Sequence, residues 1–274
     1  MKISDAPIGV FDSGVGGLTV LKALVGQLPR ERFLYLGDTA RLPYGTKSPE
    51  TVARYALQAA ATLAQRGVKC LVLACNTASA VGLSAVREHI RDVPVIGVIE
   101  PGAEAACQAS RSGHIAVIAT EGTVRGGAYQ DEIVRRRSDA RVSAAPAPLF
   151  VALAEEGLCR GPIAEHVVRH YLEPLFDSRG GASRPDTLVL GCTHFPMLAD
   201  TIRMVAGPEV AIVDSADTTA RHVRRTLEAK NLLTGDGEGS LRLLATDAAE
   251  RFARVGARFL DRPIRPDEVE LVDL

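Results

Sequence analysis

The sequence has little of what an exported or membrane-spanning protein needs. Its five cysteines are an odd and sparse set that argues against a disulfide framework and for a reducing compartment. No run of about 18 apolar residues occurs, so no membrane span is expected. Asp5, Pro7 and Asp12 interrupt the region where a signal peptide needs an unbroken apolar core. Together these absences predict a cytoplasmic protein.

The chain also lacks net charge and the spacing of a zinc site. Lys plus Arg total 32 and Asp plus Glu total 33, for a formal net charge of −1. Without a global basic field, neither nucleic acid nor a membrane is an expected partner. The short basic clusters at 135–137 and 221–225 are interpreted as solvated helix faces. No CxxC pair occurs, so no structural zinc site is expected either.

What the sequence does have is an alternation of short apolar runs with longer helical patterns. Its 274 residues are enough for about two domains. Continuous apolar runs suit strands that are buried on both faces of a parallel sheet. We therefore predict an α/β protein with mostly parallel sheets. The predicted strands are 8–11, 32–36, 69–74, 94–98, 115–119, 187–191, 210–213 and 241–245.

Helix start signals lie between several of these runs. Ser48, Pro49 and Glu50 supply a cap, a rigid first residue and a negative charge at a helix N-terminus. Stretches rich in Gly, Ser and charged residues at 177–185 and 231–240 are expected linkers. The predicted helices run from 49 to about 65, from 76 or 77 to about 89, and from 215 or 217 to about 229.

Two segments of the chain are almost alike. Residues 71–77 (LVLACNT) and 188–194 (LVLGCTH) each form a buried strand that runs into cysteine, polar residues and then a helix. A looser pair, 8–14 and 115–122, leads from an apolar strand to a hydroxyl residue and a glycine. Open α/β sheets build ligand sites at the carboxyl ends of their strands. We therefore predict two related halves, each of which contributes one cysteine to a shared cleft.

Two thiols on opposite sides of a carbon acid form an acid–base pair. A strand-to-helix junction places each sulfur near helix-terminal N–H groups, which favours the thiolate. One thiolate removes the Cα proton and the opposite thiol delivers another, so the stereocentre inverts without a cofactor. The bland alternative is that Cys75 and Cys192 pack as small hydrophobes. Cys70, Cys107 and Cys159 are interpreted as core, helix-packing and loop residues.

Other polar residues at strand ends suit an amino-acid substrate. Asp12 could bind an ammonium group or assist a thiol, and glycines in 14–17 would let backbone N–H groups approach an anion. Tyr44, in a turn-rich loop, could reach a carboxylate through its N–H and O–H groups. Further candidate donors to a thiolate or a carboxylate are Asn76, Thr77, Thr193 and His194.

Four motifs in these regions resemble those of the glutamate racemases, cofactor-independent enzymes of the aspartate/glutamate racemase superfamily. They are 11–20 (FDSGVGGLTV), 43–45 (PYG), 74–78 (ACNTA) and 191–196 (GCTHFP). The resemblance covers about residues 8–215. It implies two similar α/β domains with the active site in the cleft between them. The first would hold residues 1–97 with 211–274, and the second 98–210.

The same resemblance implies a reaction, which is the interconversion of L- and D-glutamate for peptidoglycan synthesis. No cofactor or metal is implied, and the partner is the small-molecule substrate; a homodimer stays open. Cys75 would act on D-glutamate with Asp12 beside it, and Cys192 on L-glutamate with His194 beside it. Glu155 or its neighbour Glu156 would support His194. The implied substrate-binding residues are Asp12, Ser13, Tyr44, Gly45, Asn76, Thr77, Thr120, Thr123, Thr193 and His194.

One departure from the family pattern concerns the segment that supplies this glutamate. Residues 149–157 match the family's segment, but Ala152 stands where the family pattern has proline. Glu155 is the residue that the alignment of this segment favours.

A dinucleotide-binding function is one alternative. Gly14 and Gly16 follow a strand, and Asp38 ends the next strand, as in a dinucleotide fingerprint. Thr19 replaces the third glycine, and neither cysteine motif would have a role.

Two further alternatives are a zinc hydrolase and a different racemase. His166 and His170 are spaced for one helix face, but the order of Glu165 and the histidines does not match HExxH. An aspartate or hydantoin racemase of the same superfamily is the nearest competitor.

Overall fold

A computed structural model describes residues 3–177, 184–235 and 237–274, over which strands and helices alternate as predicted. The strands are β1 (Ile8–Asp12), β2 (Arg32–Gly37), β3 (Cys70–Leu73), β4 (Val95–Gly97), β5 (His114–Ala119), β6 (Arg141–Pro146), β7 (Thr187–Gly191), β8 (Ala211–Asp214), β9 (Ser240–Ala245) and β10 (Val269–Leu271). The helices are α1 (Leu18–Gln27), α2 (Pro49–Gln65), α3 (Asn76–His89), α4 (Ile99–Ala109), α5 (Glu121–Arg125), α6 (Ala128–Arg136), α7 (Leu149–Glu156), α8 (Pro162–Phe176), α9 (Ala199–Ala206), α10 (Ser215–Ala229) and α11 (Ala249–Leu260).

The strands form two parallel sheets that share one strand order. The larger sheet runs β10-β9-β2-β1-β3-β4 and the smaller runs β6-β5-β7-β8. The segment β2-β1-β3-β4 therefore corresponds strand for strand to β6-β5-β7-β8. The strands β3 and β7, which precede Cys75 and Cys192, hold equivalent places. The predicted fold class of two similar α/β halves is confirmed.

The strength of the sequence signal follows the burial of each strand. Every residue of β1, β3, β5 and β7 is buried, which explains their continuous apolar runs. The strands β6 and β10 lie at sheet edges and were missed by the sequence prediction. The strand β6 is only partly buried and β10 has three residues, so neither carries such a run.

Strand pairing places the return of the chain to the larger half after residue 214, whereas the sequence predicted it at residue 211. The strand β8 pairs with β7, so residues 211–214 belong to the smaller sheet and the chain returns to the larger one only afterwards. The helix α10 packs against α1, and β9 and β10 extend the larger sheet beyond β2. An apolar run shows that a strand is buried, but it does not show which sheet the strand joins.

Two predicted helices begin where their capping signals place them. The Ser48 hydroxyl accepts the Thr51 N–H at 3.3 Å and caps α2, and α3 begins at Asn76. The third, α10, is capped by Asp214, whose carboxylate accepts the N–H groups of the next turn at 2.9 and 3.0 Å. Most of the predicted linker 177–185, namely residues 178–183, lies outside the described residues, as does residue 236 of the linker 231–240.

The other three cysteines pack within the fold, and two arginines of one basic cluster form ion pairs within their own helix. Cys70 lies in β3 within the core, Cys107 is half-buried on α4, and Cys159 is half-buried after α7. In the basic cluster 135–137, Arg135 and Arg136 pair with Glu132 of their own helix, as expected of a helix face. None of the described helices combines the length and apolar character that a membrane crossing requires.

Candidate active site

Cys75 lies where β3 ends and caps the N-terminus of α3. Its Sγ accepts the Ala78 N–H at 3.4 Å and lies 3.6 Å from the Ser13 hydroxyl oxygen. Burial raises the pKa of the Cys75 thiol to about 12, and the Asp12 carboxylate adds to this rise, while the Ala78 N–H and Ser13 oppose it. Burial thus outweighs the helix terminus that the sequence argument relied on. Cys75 is a neutral thiol here, ready to donate a proton.

Asp12 ends β1 and is fully buried beside this thiol. Its Oδ2 accepts the Gly14 N–H at 3.0 Å, and burial raises the pKa of Asp12. Gly17 permits the packing, because a Cβ at that position would lie 2.4 Å from the Asp12 Cβ. The glycine loop was expected to bind an external anion through its N–H groups. In the structure, Gly14 donates its N–H to Asp12 itself.

Cys192 follows β7 and contacts His194. The Cys192 Sγ lies 3.8 Å from His194 Nδ1, and His194 Nε2 lies 3.1 Å from Glu155 Oε1. Burial lowers the pKa of His194, but contacts with Cys192 and Glu155 outweigh it and raise this pKa to about 10. The hydrogen bond from His194 lowers the pKa of Glu155. An imidazolium held between a cysteine and a carboxylate is an arrangement that activates thiols in enzymes.

Three hydroxyl groups from the two halves meet near the Cys75 end of the site. Thr77 Oγ1 lies 2.9 Å from Thr120 Oγ1 and 3.2 Å from Thr123 Oγ1, and the last two are 3.0 Å apart. We call these three residues the hydroxyl cluster. Gly45 packs on it, since a Cβ there would lie 2.8 Å from the Thr120 Cβ. Hydroxyls at the N-termini of α3 and α5 are suitable donors to a carboxylate.

Asn76 and Thr193 are held by residues that the sequence prediction missed. Asn76 Oδ1 accepts the Tyr129 hydroxyl at 2.8 Å, and its Nδ2 donates to Ser215 Oγ at 3.5 Å. The Thr19 hydroxyl donates to the Thr193 carbonyl at 2.9 Å. Tyr129, Ser215 and Thr19 lie on helices whose local patterns do not distinguish them from packing residues. Only their position across the boundary between the halves identifies them.

In this structure the Tyr44 hydroxyl, which was predicted to reach a substrate carboxylate, is bound to another residue of the protein. The Tyr44 ring is buried, and its hydroxyl donates a short hydrogen bond to Asp38. Asp38 also accepts Arg41 Nε at 2.7 Å and the Thr246 hydroxyl at 3.0 Å. With all of these partners and no exposure, Asp38 cannot bind the ribose of a dinucleotide. The dinucleotide alternative has no support.

The zinc-hydrolase alternative has no support either. His166 and His170 lie on α8, where His166 Nδ1 is 2.8 Å from the Pro162 carbonyl oxygen and the His170 ring packs on Tyr171. Across the described ranges, no three or more His, Cys, Asp or Glu residues are grouped to hold a metal ion.

The two halves bring their predicted residues to one buried boundary. Cys75 and Cys192 are each 5% exposed, and they lie close enough for Cys192 to contribute to the raised pKa of Cys75. Gly16 packs against the second half, because a Cβ there would lie 2.4 Å from the His194 ring. The arrangement offers a protonated thiol on one side, a charged histidine beside the other thiol, and hydroxyl groups nearby that are suited to binding a carboxylate.

The chain is similar to known racemases over nearly its whole length. A family model described as Asp/Glu/Hydantoin racemase matches residues 8–223. The glutamate racemase of Geobacter metallireducens is 50% identical over 254 residues, which are 92% of each chain. A glutamate racemase isoform from Bacillus anthracis has a TM-score of 0.92 at 36% identity, covering 99% of this chain and 98% of that one. The structure of a Francisella tularensis glutamate racemase with D-glutamate has a TM-score of 0.90 at 35% identity, covering 98% of each.

Proposed function

Because this chain belongs to the Asp/Glu/hydantoin racemase family, we propose that it interconverts L- and D-glutamate through Cys75 and Cys192. The observation that carries this proposal is the equivalent placing of the two cysteines. Each follows the corresponding strand of its sheet, and both are buried at the boundary between the halves. Glutamate is favoured as the substrate because the full-length relatives are glutamate racemases.

In the L-to-D direction, the Cys192 thiolate would remove the Cα proton of L-glutamate. The thiol of Cys75, which is neutral because burial raises its pKa to about 12, would deliver a proton to the opposite face. One C–H bond breaks and another forms, and Cys192 ends as a thiol while Cys75 ends as a thiolate. The D-to-L direction uses the same steps in reverse. No cofactor takes part in this mechanism.

The neighbours of each thiol suit these steps. The His194 imidazolium would stabilise the thiolate of Cys192 before the proton is taken and stay in contact with it afterwards. Asp12 lies beside Cys75, where it would bind the substrate ammonium group or exchange a proton with the thiol. Glu155 would hold His194 in the orientation that both states need.

Substrate binding would use the N-termini of α3 and α5. The hydroxyl cluster, the Asn76 amide and the Thr193 hydroxyl would donate to the carboxylates of glutamate, and the residues around Gly45 would close over them. Because the site is buried, substrate entry would require the two halves to separate. We further propose that the product D-glutamate supplies peptidoglycan synthesis in the cytoplasm.

The test is incorporation of solvent deuterium from D₂O at Cα of L- and D-glutamate. The wild-type protein should label both enantiomers, while Cys75→Ala and Cys192→Ala should each abolish racemisation. Cys107→Ala is the matched control, because Cys107 is half-buried on α4 outside the site, and it should racemise at the wild-type rate. Full racemisation by either of the first two variants would defeat the two-thiol mechanism. Faster turnover of aspartate than of glutamate would defeat the substrate assignment alone.

A further inference from the structure

We propose that Arg251, on α11, is a positioning residue for the Cys192 half of the reaction and acts through Glu155 on His194. This inference rests on the function proposed above. It concerns the C-terminal part of the chain, where the sequence carries little family signature. Arg251 does not touch the thiol; its effect is on the carboxylate that holds the histidine.

The two oxygens of the Glu155 carboxylate have different partners. Oε1 lies 3.1 Å from His194 Nε2, and Oε2 accepts Arg251 Nη2 at 2.7 Å. The main-chain carbonyl of Glu155 accepts Arg258 Nη1 at 2.7 Å. The carboxylate is therefore fixed in rotation by two charged groups, and its backbone is fixed by a third. A fixed carboxylate fixes the imidazole ring that donates to it.

A third side chain of the same helix contacts the histidine directly. The Phe259 ring meets the His194 ring edge to face, with centroids 5.2 Å apart. Arg251 and Arg258 are seven residues apart, so they lie on the same side of α11, and the buried Phe259 lies beside them. Three side chains of α11 thus contact the pair of His194 and Glu155.

The contact joins the two halves of the protein. Glu155 lies on α7, which follows β6 of the smaller sheet, whereas α11 lies between β9 and β10 of the larger sheet. The residues before α11 are tied to the larger half. The Thr39 hydroxyl donates to the Asp247 carbonyl at 2.6 Å, and the Thr246 hydroxyl donates to Asp38 at 3.0 Å. Arg251 therefore reaches Glu155 only while the two halves are closed.

Exposure indicates that this ion pair orients groups more than it stabilises the fold. The Arg251 side chain is 49% exposed and the Glu155 side chain is 17% exposed. An ion pair with one half-exposed partner contributes little to the free energy of unfolding. Fixing the imidazolium that contacts the reacting thiolate, in contrast, changes rates strongly, because small displacements near a reacting group are costly. The closed state would thus complete the His194 half of the site.

The experiment compares Arg251→Met with Arg254→Met, which removes a second exposed arginine of the same helix, three residues further along. The equilibrium constant of racemisation is one, so kcat/KM must fall equally in both directions; we expect a fall of about tenfold for Arg251→Met. Primary isotope effects with Cα-deuterated substrates show which of the two proton transfers is slowed. The effect should rise for L-glutamate, whose proton Cys192 removes, and fall for D-glutamate. Arg251→Lys should restore both toward wild type.

A double variant tests whether the effect passes through the carboxylate. In a Glu155→Gln background, adding Arg251→Met should change kcat/KM less than twofold, because the shared partner is already altered. Thermal unfolding of every variant shows whether the fold is kept. Unchanged isotope effects in Arg251→Met, or equal changes in Arg254→Met, would overturn the proposal. If the wild-type protein does not racemise glutamate, the proposed function fails. If the wild-type protein is active and Arg251→Met has the same kinetics, the proposed function stands and this inference fails.

Discussion

The Tyr129 hydroxyl donates a 2.8 Å hydrogen bond to the side-chain oxygen of Asn76, across the boundary between the two halves. This bond fixes the direction of the Asn76 amide, so the NH₂ group faces away from Tyr129. Tyr129 itself is fully buried, and its ring packs against Gly102 and Gly191, where a Cβ would lie 3.1 and 3.0 Å from the ring. The small residues around the ring thus allow the hydroxyl to reach Asn76.

Tyr129→Phe keeps the ring and removes this bond. The Asn76 oxygen loses its partner, which should cost about 1 kcal/mol in the free energy of unfolding. The amide becomes free to rotate, so we expect KM for glutamate to rise several-fold with a smaller change in kcat. Steady-state kinetics in both directions measure this. Tyr171→Phe is the control, because the Tyr171 ring packs on Phe150 away from the thiols. An unchanged KM in Tyr129→Phe would contradict the positioning of Asn76.

Glu155→Gln should change the pH dependence of the protein through His194. The pKa of His194 is raised from 6.5 to about 10 by its contacts with Cys192 and Glu155, which outweigh burial. The stability that charged His194 contributes is therefore fully present below pH 6.5 and is lost as the pH rises through about 10. Without the carboxylate charge, this loss and the alkaline fall of kcat/KM should begin about one pH unit lower.

Profiles of kcat/KM and of Tm between about pH 6 and 11 measure this shift. Glu156→Gln is the matched control, because Glu156 is the exposed neighbour on the same helix. Its alkaline limb should coincide with that of the wild type. A Glu155→Gln profile that also coincides would show that Glu155 does not sustain the charge on His194.

Two glycine substitutions should have opposite effects. A Cβ at Gly16 would lie 2.4 Å from the His194 ring and from Thr193 Oγ1, so Gly16→Ala must displace the histidine. We expect a loss of about 100-fold in kcat/KM. At Gly26, in α1, a Cβ would meet nothing within 4 Å. Gly26→Ala should therefore raise the free energy of unfolding by about 0.5 kcal/mol and leave the kinetics unchanged. Wild-type activity in Gly16→Ala would refute the close packing of this loop on His194.

Breaking a buried ion pair far from the thiols should destabilise the protein more than breaking an exposed ion pair. Lys69 Nζ lies 2.5 Å from Glu31 Oε2, and the two side chains are 0% and 3% exposed. Lys69→Met leaves Glu31 charged and buried, which should cost about 3–5 kcal/mol by denaturant unfolding. Lys22→Met breaks the exposed pair with Asp261 and should cost less than about 1 kcal/mol. Equal losses in the two variants would contradict this difference.

Much of the candidate site could be predicted from local sequence. A strand buried on both faces must be a continuous apolar run, so β3 and β7 stood out, and a cysteine at each carboxyl end marked the site. Ser48 and Pro49 fixed the start of α2, because capping depends on neighbouring residues alone. The edge strands β6 and β10 were not predicted, because a half-exposed strand has no continuous apolar run.

Other features depend on contacts between distant segments. The pKa direction of Cys75 reversed the sequence expectation, because burial depends on the surrounding fold and outweighs the helix terminus. The Tyr44 hydroxyl is bound to Asp38 instead of being free for substrate. The glycines in 14–17 allow Asp12 and His194 to approach closely. In each case the deciding neighbour lies on another strand or loop.

The sequence by itself determined that there are two related halves and that each places a cysteine at the end of a buried strand. Both features depend on residues that are neighbours along the chain. Only the tertiary structure decided what surrounds those thiols. Nothing local distinguishes Arg251 from Arg254, and both are exposed, yet it is Arg251 that reaches Glu155 across the boundary. The physical reason is that charge, hydrogen bonding and desolvation act through space over a few ångströms, whatever the separation of the residues along the chain.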